Sequence, residues 1–422
     1  GISRISNGSM GDIRQNGPFK LFGPQGMRIG SAARPAANVT VYLDHDDCEA
    51  AGAADGCLDD GRLVSYAGAV HVHGVAKTPW SVLTADCDAC ATLRVAECAG
   101  WAAGDRIAVA PTGHRAEHYA EAIASEDPQR NFLAAERVVR AVTDPRRVEG
   151  ATAAGGDCVV ELETPLDLLH RGAPLHGVPT HAEVLNLDRS VTITGPPIHW
   201  RDEARPILGG QGITTVQVGG GLMKMEHARV DNCGRVALGE YCVHLHLVGE
   251  CEACVVRGIA VERALNKAIT VHGTHGATVE RNVVYDVRGA GIYIEDGNEL
   301  RNTIAHNAIL CPSLSHKSQI GRLTPAEPPT GRTATGHRCA LKGVPSHSDS
   351  DYDEQSGIYL LSPTNDVIGN HVVGMENAFY VNHQGGRSYG IGAAYGRVCI
   401  LSSPFGTVSG NVFHNNAGFG FY

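Results

Sequence analysis

Two scarcities in this chain remove classes of function, and a third removes none. Basic residues are short: 35 Lys and Arg stand against 45 Asp and Glu, a net charge of −10. Phosphate recognition needs a basic face, so the balance argues against a nucleic-acid partner. An anionic polysaccharide would also need local positive charge, which the overall balance does not favour. No apolar run is long enough to span a bilayer, so membrane attachment would run through a segment outside this chain. No signal peptide is visible either. The chain begins Gly1-Ile2-Ser3 and ends at Tyr422, inside what reads as another coil, and is expected to be a processed piece of a larger protein.

What is present is glycine, 52 residues of it, and 43% apolar content over 422 residues. That suffices for two or three domains or for one long solenoid. The stretch Tyr241 to Asn307 favours the solenoid. It reads YCVHLHLVGE, then AITVHGTHGATVERNVVYDVRGA, then GIYIEDGNELRNTIAHN. Val243, Leu245 and Leu247 alternate with His244 and His246. Ile269 and Val271 alternate with Thr270 and His272, and Ile292 and Ile294 with Tyr293 and Glu295. A period of two buries one face and leaves the other outward.

The pattern recurs after 26 residues (His246 to His272) and again after 23 (His272 to Glu295). Short strands repeating at that interval, with no helix between them, fit a parallel β-helix with coils about 4.8 Å apart. The general rule for parallel crossovers makes it right-handed. Aligning the inward aliphatic pairs sets the outward columns. One reads His246, His272, Glu295, and its neighbour reads His244, Thr270, Tyr293. SGIYLLS (356–362) and FYVNH (379–383) add Tyr359 and Tyr380 to the second column. One exterior wall would then carry three tyrosines beside histidines and a carboxylate.

The expected order is a β-rich tail over 1–66, a β-rich connecting region over 67–211, and the β-helix over 212–422 with a loop insertion at 313–355. A second, glycine-rich excursion runs from Gln384 to Tyr395. Ala116 to Ala124 and Ala134 to Val142 are alanine- and glutamate-rich and are expected to be helical. The aspartates between Asp44 and Asp60 lack the EF-hand spacing and read as a solvated loop rather than a calcium site. His71 and His73 have no third ligand in view and read as polar-face residues. Asn282, Asn302, Asn370 and Asn411 recur at turns, where asparagine tolerates left-handed backbone and bonds to its neighbours. Of the 13 cysteines, Cys87/Cys90 and Cys251/Cys254 form tight pairs. Four thiolates would suit zinc, but the pairs lie far apart, and local disulfides are the better reading. Cys48 and Cys57 are a further candidate pair. Asn7 and Asn38 open glycosylation sequons, in keeping with a secretory, extracellular location.

These motifs together resemble the family of G8-domain and parallel β-helix proteins, which includes fibrocystin-like proteins, the hyaluronan-binding cell-migration protein and cell-surface hyaluronidase. The resemblance rests on EYCVHLHLVGE, on the run from VRGIAVERALNKAITVHG to GIYIEDGNELRN, and on SPTNDVIGNHVVGMENAFYVN. In the N-terminal half it rests on WAAGDRIAVAPT, PLDLLHRG and HAEVLNLDRSVTITG, in that order. It covers roughly residues 67–422 and implies an extracellular or cell-surface β-helix with a G8-like region ahead of it and glycan-related chemistry in some members. GAGIYIEDG is closer to the fibrocystin-like branch.

Three site readings follow. Glycoside cleavage usually needs two carboxyls: Glu295 and Asp296, with His272 sharing a proton, would supply acid–base catalysis, provided Asp296 turns outward at the strand end. Tyr293, Tyr359 and Tyr380 would offer a stacking platform for sugar rings. Alternatively His244, His246 and His272 would hold a divalent metal, zinc or calcium, with Glu295 or Asp296 completing the shell. The partner would be a polysaccharide, with contacts to other copies or cell-surface proteins if the chain instead serves as an adhesive scaffold.

Overall fold

The computed structural model describes residues 11–16, 19–22, 26–44, 63–66, 68–113, 134–147, 156–174, 177–178, 180–195, 199–202, 205–207, 213–216, 221–234, 239–312, 339, 355–361, 364–381 and 403–422. They form a parallel β-helix of three walls. Wall one stacks nine strands, among them Val39–Asp44, Val191–Thr194, Ala260–Ala264, Val283–Val287, His371–Val373 and Val412–His414. Wall two stacks eight, including Leu63–Tyr66, Ile213–Val216, Val243–Glu250, Ile269–His275, Ile292–Ile294, Ser356–Leu360 and Asn377–Val381. Wall three also stacks eight, including Ala69–His73, Leu222–Glu226, Val255–Arg257, Thr278–Glu280, Thr303–Ala305 and Asp366–Ile368.

The aliphatic alternation sets the register. Val243, Ile269, Ile292, Ile358 and Phe379 stand opposite one another in successive coils, and so do Leu245, Val271, Ile294, Leu360 and Val381. All but the partly buried Val381 are buried in a continuous core. Fully burying such a side chain is worth about 1.5–3 kcal/mol. A one-residue slip in any coil would turn its whole row outward.

Between walls three and one the chain turns on buried asparagines. The Asn282 side-chain amide donates to Asn307 Oδ1 at 3.0 Å, Asn307 to Asn370 at 2.9 Å, and Asn370 to Asn411 at 3.0 Å. At the corner between walls two and three, Asn302 and Asn365 make a similar pair at 3.0 Å. The recurring asparagines bond to neighbouring turns, as their turn chemistry implies.

The β-helix starts earlier than the expected boundary at 212. Val39 pairs in parallel with Val191, Leu63 with Ile213, and Ala69 with Leu222. The region expected as a separate tail (1–66) therefore supplies strands to all three walls, and the connecting region (67–211) is interrupted rather than continuous. A six-stranded sheet, built from Trp80–Val82, Thr92–Val95, Arg106–Val109, Ala135–Thr143, Cys158–Leu162 and Glu183–Asn186, is inserted at one turn. That insertion hides the repeat, because two adjoining coils are separated in sequence by the whole of it. Ala135–Thr143 is a strand, not a helix. It pairs antiparallel with both Arg106–Val109 and Cys158–Leu162 and buries Val139 between them. Here sheet pairing overrides alanine propensity.

Cys87–Cys90 and Cys251–Cys254 are disulfides, as expected, and Cys98–Cys158, Cys233–Cys242 and Cys311–Cys339 join them. The proposed Cys48–Cys57 pair, the residue 116–124 helix, most of the acidic cluster, the Asn7 sequon, nearly all of the 313–355 loop and the 384–395 excursion lie outside the described residues.

The inserted sheet is fastened to the β-helix by charge. Arg106 Nη2 meets Glu262 at 2.9 Å, and Tyr285 donates its hydroxyl to Glu136 at 2.7 Å. Glu183, 1% exposed, lies 2.6 Å from His371 Nδ1 and 3.0 Å from His414 Nε2. Burial alone would raise the Glu183 carboxyl, but His414 and His371 outweigh it and hold it at about 2. Burial likewise opposes protonation of His414, and Glu183 outweighs it, raising that imidazole above its ordinary value of 6.5. The depressed carboxyl contributes stability above its ordinary 4.5, and this is lost as pH falls toward about 2. The raised imidazole contributes below 6.5, and its share is lost as pH rises through its folded value. The melting-temperature gap between the native chain and Glu183→Gln should therefore be widest between pH 4.5 and 6.5 and close toward pH 2. An equal gap at pH 5 and pH 2 would contradict this.

Candidate functional site

The outward columns of wall two fall in the expected register. His246 stands opposite His272, His244 opposite Thr270, Thr270 opposite Tyr293, Tyr293 opposite Tyr359, and Tyr359 opposite Tyr380. Glu295 continues the first column, its amide donating to Val271 O at 3.1 Å.

Three imidazoles converge. His246 Nδ1 lies 3.3 Å from His244 Nε2 and 2.9 Å from His272 Nδ1. One nitrogen from each ring lies within 4.8 Å of the other two. With metal–nitrogen bonds of about 2.0–2.1 Å, two ligands of a tetrahedral ion sit about 3.3–3.4 Å apart, close to this spacing. Glu295 Oε2 faces the same point, 3.5 Å from His272 Nδ1 and 3.9 Å from His244 Nε2. Its other oxygen accepts the Tyr241 hydroxyl at 3.0 Å.

A second layer orients this set. His272 Nε2 lies 2.9 Å from Asp296 Oδ2, so the ring presents Nδ1 to the cluster and its far side to a carboxylate. Histidines that hold metals are commonly fixed in this way. Asp296 is 1% exposed, and its Oδ1 has no hydrogen-bond partner among the described residues. Glu299 accepts the amides of Gly273, Asp296 and Gly297 at 2.8–2.9 Å and so shapes the turn that carries Asp296. Burial, with Asp296 beside it, raises the Glu299 carboxyl to about 7. For His272, burial opposes protonation, but the Asp296 contact and the nearby carboxylates of Glu295 and Glu299 win, raising it to about 8. Lys267, fully buried, places its ammonium 5.3 Å from the Tyr241 ring centre and 5.0 Å from that of Tyr293.

Two expectations need correction. The tyrosines do not form an open platform: Tyr293 is 1%, Tyr359 0% and Tyr380 5% exposed. They pack on one another at 5.1 and 5.3 Å, and Tyr422 covers Tyr380 at 4.9 Å, so no sugar ring can lie against them as they stand. Nor do Glu295 and Asp296 flank an open gap, as acid–base cleavage by two carboxylates requires. Asp296 does turn to the side of Glu295, but both carboxylates engage opposite edges of the one His272 ring. The side open to solvent is at the half-buried His246. His71 and His73 stay on wall three, where His73 meets Glu226 at 3.4 Å, and they take no part.

Sequence periodicity picked out the histidines because they sit on strands, and Glu295 because it directly follows the strand Ile292–Ile294 in the same alternation. It missed Tyr241, Lys267 and Glu299, which sit in turns where no alternation marks them.

The protein-family model described as the CEMIP beta-helix matches residues 209–421, half of the chain. Fibrocystin-L of Mus musculus is 28% identical over 300 residues, covering 61% of this chain and 6% of its own length. Cell surface hyaluronidase CEMIP2 of Homo sapiens is 28% identical over 273 residues, covering 60% of this chain and 18% of its own length. The human cell migration-inducing and hyaluronan-binding protein is 25% identical over 227 residues, covering 49% of this chain and 16% of its own. The chain thus spans less than a fifth of these relatives.

Proposed function

The chain belongs to the CEMIP β-helix family, and we propose that wall two holds a divalent transition metal at which a polysaccharide is bound and cut outside the cell. The convergence of His244, His246 and His272 from two adjacent coils carries this reading. Nitrogen donors suit zinc or a similar ion, whereas calcium takes oxygen ligands, so the donor set favours the former. The five disulfides among the described residues and the named cell-surface relative support an extracellular setting. The relatives named for hyaluronan support an acidic polysaccharide as the substrate class.

Bound there, such an ion would supply Lewis-acid charge to an oxygen of the glycan. The rest falls to the chain's own groups. Asp296 fixes the His272 ring, and Tyr241 holds one Glu295 oxygen so that the other points at the cluster. Burial of Glu295 to 2% exposure excludes bulk water from its carboxylate, where it can hold a proton or complete the ligand set. The polymer would approach over His246.

Hyaluronan incubated with the metal-loaded chain should shorten on a sizing gel. It should stay intact after chelation, and zinc should restore the shortening. Hyaluronan of unchanged length with metal-loaded protein would overturn the reading.

A further inference from the structure

On the opposite side of the molecule, where the inserted sheet meets the corner of walls three and one, lies a cleft of about 400 Å³. Trp80, Arg281, His306 and His371 line it. A second hollow of about 320 Å³ continues it, sharing Pro79, Glu97 and Arg281 and reaching Lys77 and Arg257. The two together make an elongated groove, a shape suited to a chain molecule.

The charges in the groove are not equivalent. Lys77 is paired with Asp105 at 2.6 Å, and Arg257 with Glu280 at 2.5 Å. Arg281 is exposed and has no side-chain hydrogen bond or ion pair among the described residues. In a chain of net charge −10, this is an exposed cation inside a concave site, which it shares with one exposed carboxylate, that of Glu97. It also supplies the local positive charge that the overall composition does not.

The surroundings of Arg281 are rigid. The Trp80 indole N–H donates to His306 O at 2.8 Å, and its ring lies 4.6 Å from that of His371, itself held by Glu183. The next coil carries Gly369 beneath His306, where an added Cβ would fall 2.5 Å from the His306 ring nitrogen. Glycine there lets the imidazole lie flat against the corner, beside Arg281.

We propose that this groove is a second saccharide site, taking an acidic sugar unit with its carboxylate on Arg281 and its ring against Trp80. A guanidinium binds a carboxylate with two parallel hydrogen bonds, and an indole offers a broad apolar surface with a polar edge. The inference rests on the polysaccharide reading above for the class of ligand, but it uses none of the same residues.

The test is calorimetric titration of the full chain with a hyaluronan hexasaccharide, and with the same hexasaccharide reduced at its carboxyls. The native chain should bind the acidic form at least tenfold more tightly than the reduced one. Arg281→Asn should lose at least tenfold in affinity. Asparagine tolerates the left-handed backbone found there (φ 53°), so the variant should melt with the native chain. Trp80→Phe should also weaken binding, while His246→Ala/His272→Ala, whatever it loses at wall two, should keep the tenfold preference for the acidic over the reduced hexasaccharide. Native-like affinity in both groove variants would overturn the proposal. If binding instead disappears only in the histidine variant, the groove is wrong and the polysaccharide reading stands. If the native chain binds neither hexasaccharide, the groove proposal falls, and the metal site is judged by its own assay.

Discussion

Asn307→Ala should lower the free energy of unfolding by about 4 kcal/mol. The Asn307 amide donates to Val279 O at 3.0 Å and to Asn370 Oδ1 at 2.9 Å, and its Oδ1 accepts both the backbone and side-chain N–H of Asn282 at 3.0 Å. Four hydrogen bonds at roughly 1 kcal/mol each give the estimate, and a buried N–H left without an acceptor adds to it. Asn307 is fully buried, so water cannot take the place of the amide. Each coil of a solenoid is held mainly by its neighbours, so the loss loosens the coils on both sides, including those that carry His272 and Glu295. Asn411→Ala, at the half-buried end of the same ladder, is the control and should cost far less. Denaturant midpoints of the two variants provide the measurement. A shift for Asn307→Ala no larger than that for Asn411→Ala would show that the ladder is not what holds this corner.

Asp296→Asn should weaken transition-metal binding by about 10- to 100-fold, the usual effect of losing a carboxylate behind a metal-binding histidine. Two opposing effects must be separated. Asp296 orients His272, which favours metal, but it also helps raise that imidazole to about 8, so a proton competes for the same ring at neutral pH. One pH unit below that value the competition is worth about tenfold. Removing Asp296 relieves it and would mask part of the loss at pH 7. At pH 9 the ring is mostly neutral in both proteins and the full difference should appear. Equal affinities at pH 9 would remove Asp296 from the site.

Much of wall two was legible in the sequence because a strict period of two leaves a single alignment of the aliphatic rows. Once Val243, Ile269 and Ile292 are stacked, His246 must stand beside His272, and Tyr293 beneath Tyr359. Three things were not legible, each for a physical reason. The strands before residue 74 join the β-helix only through parallel pairing across the inserted sheet, a contact too distant in sequence for any local repeat to reveal. The burial of the tyrosines depends on what lies over the wall, whereas alternation reports only which side of the strand a residue takes. Glu299 and Tyr241 sit outside the strands, so their directions are set by turns. The groove at Arg281 was hidden for a related reason. It is formed between Trp80 and His306, more than two hundred residues apart in the chain, and bridged by one indole hydrogen bond.

Wall two is a metal site in this reading of the protein, and its metal content can be measured. Elemental analysis of the chain purified without chelator, beside a His246→Ala/His272→Ala variant, tests it most directly. One transition-metal ion per native chain is expected and none in the variant, with matching circular dichroism spectra. Native protein that holds no zinc after exposure to it, or a variant that retains a full equivalent, would contradict it.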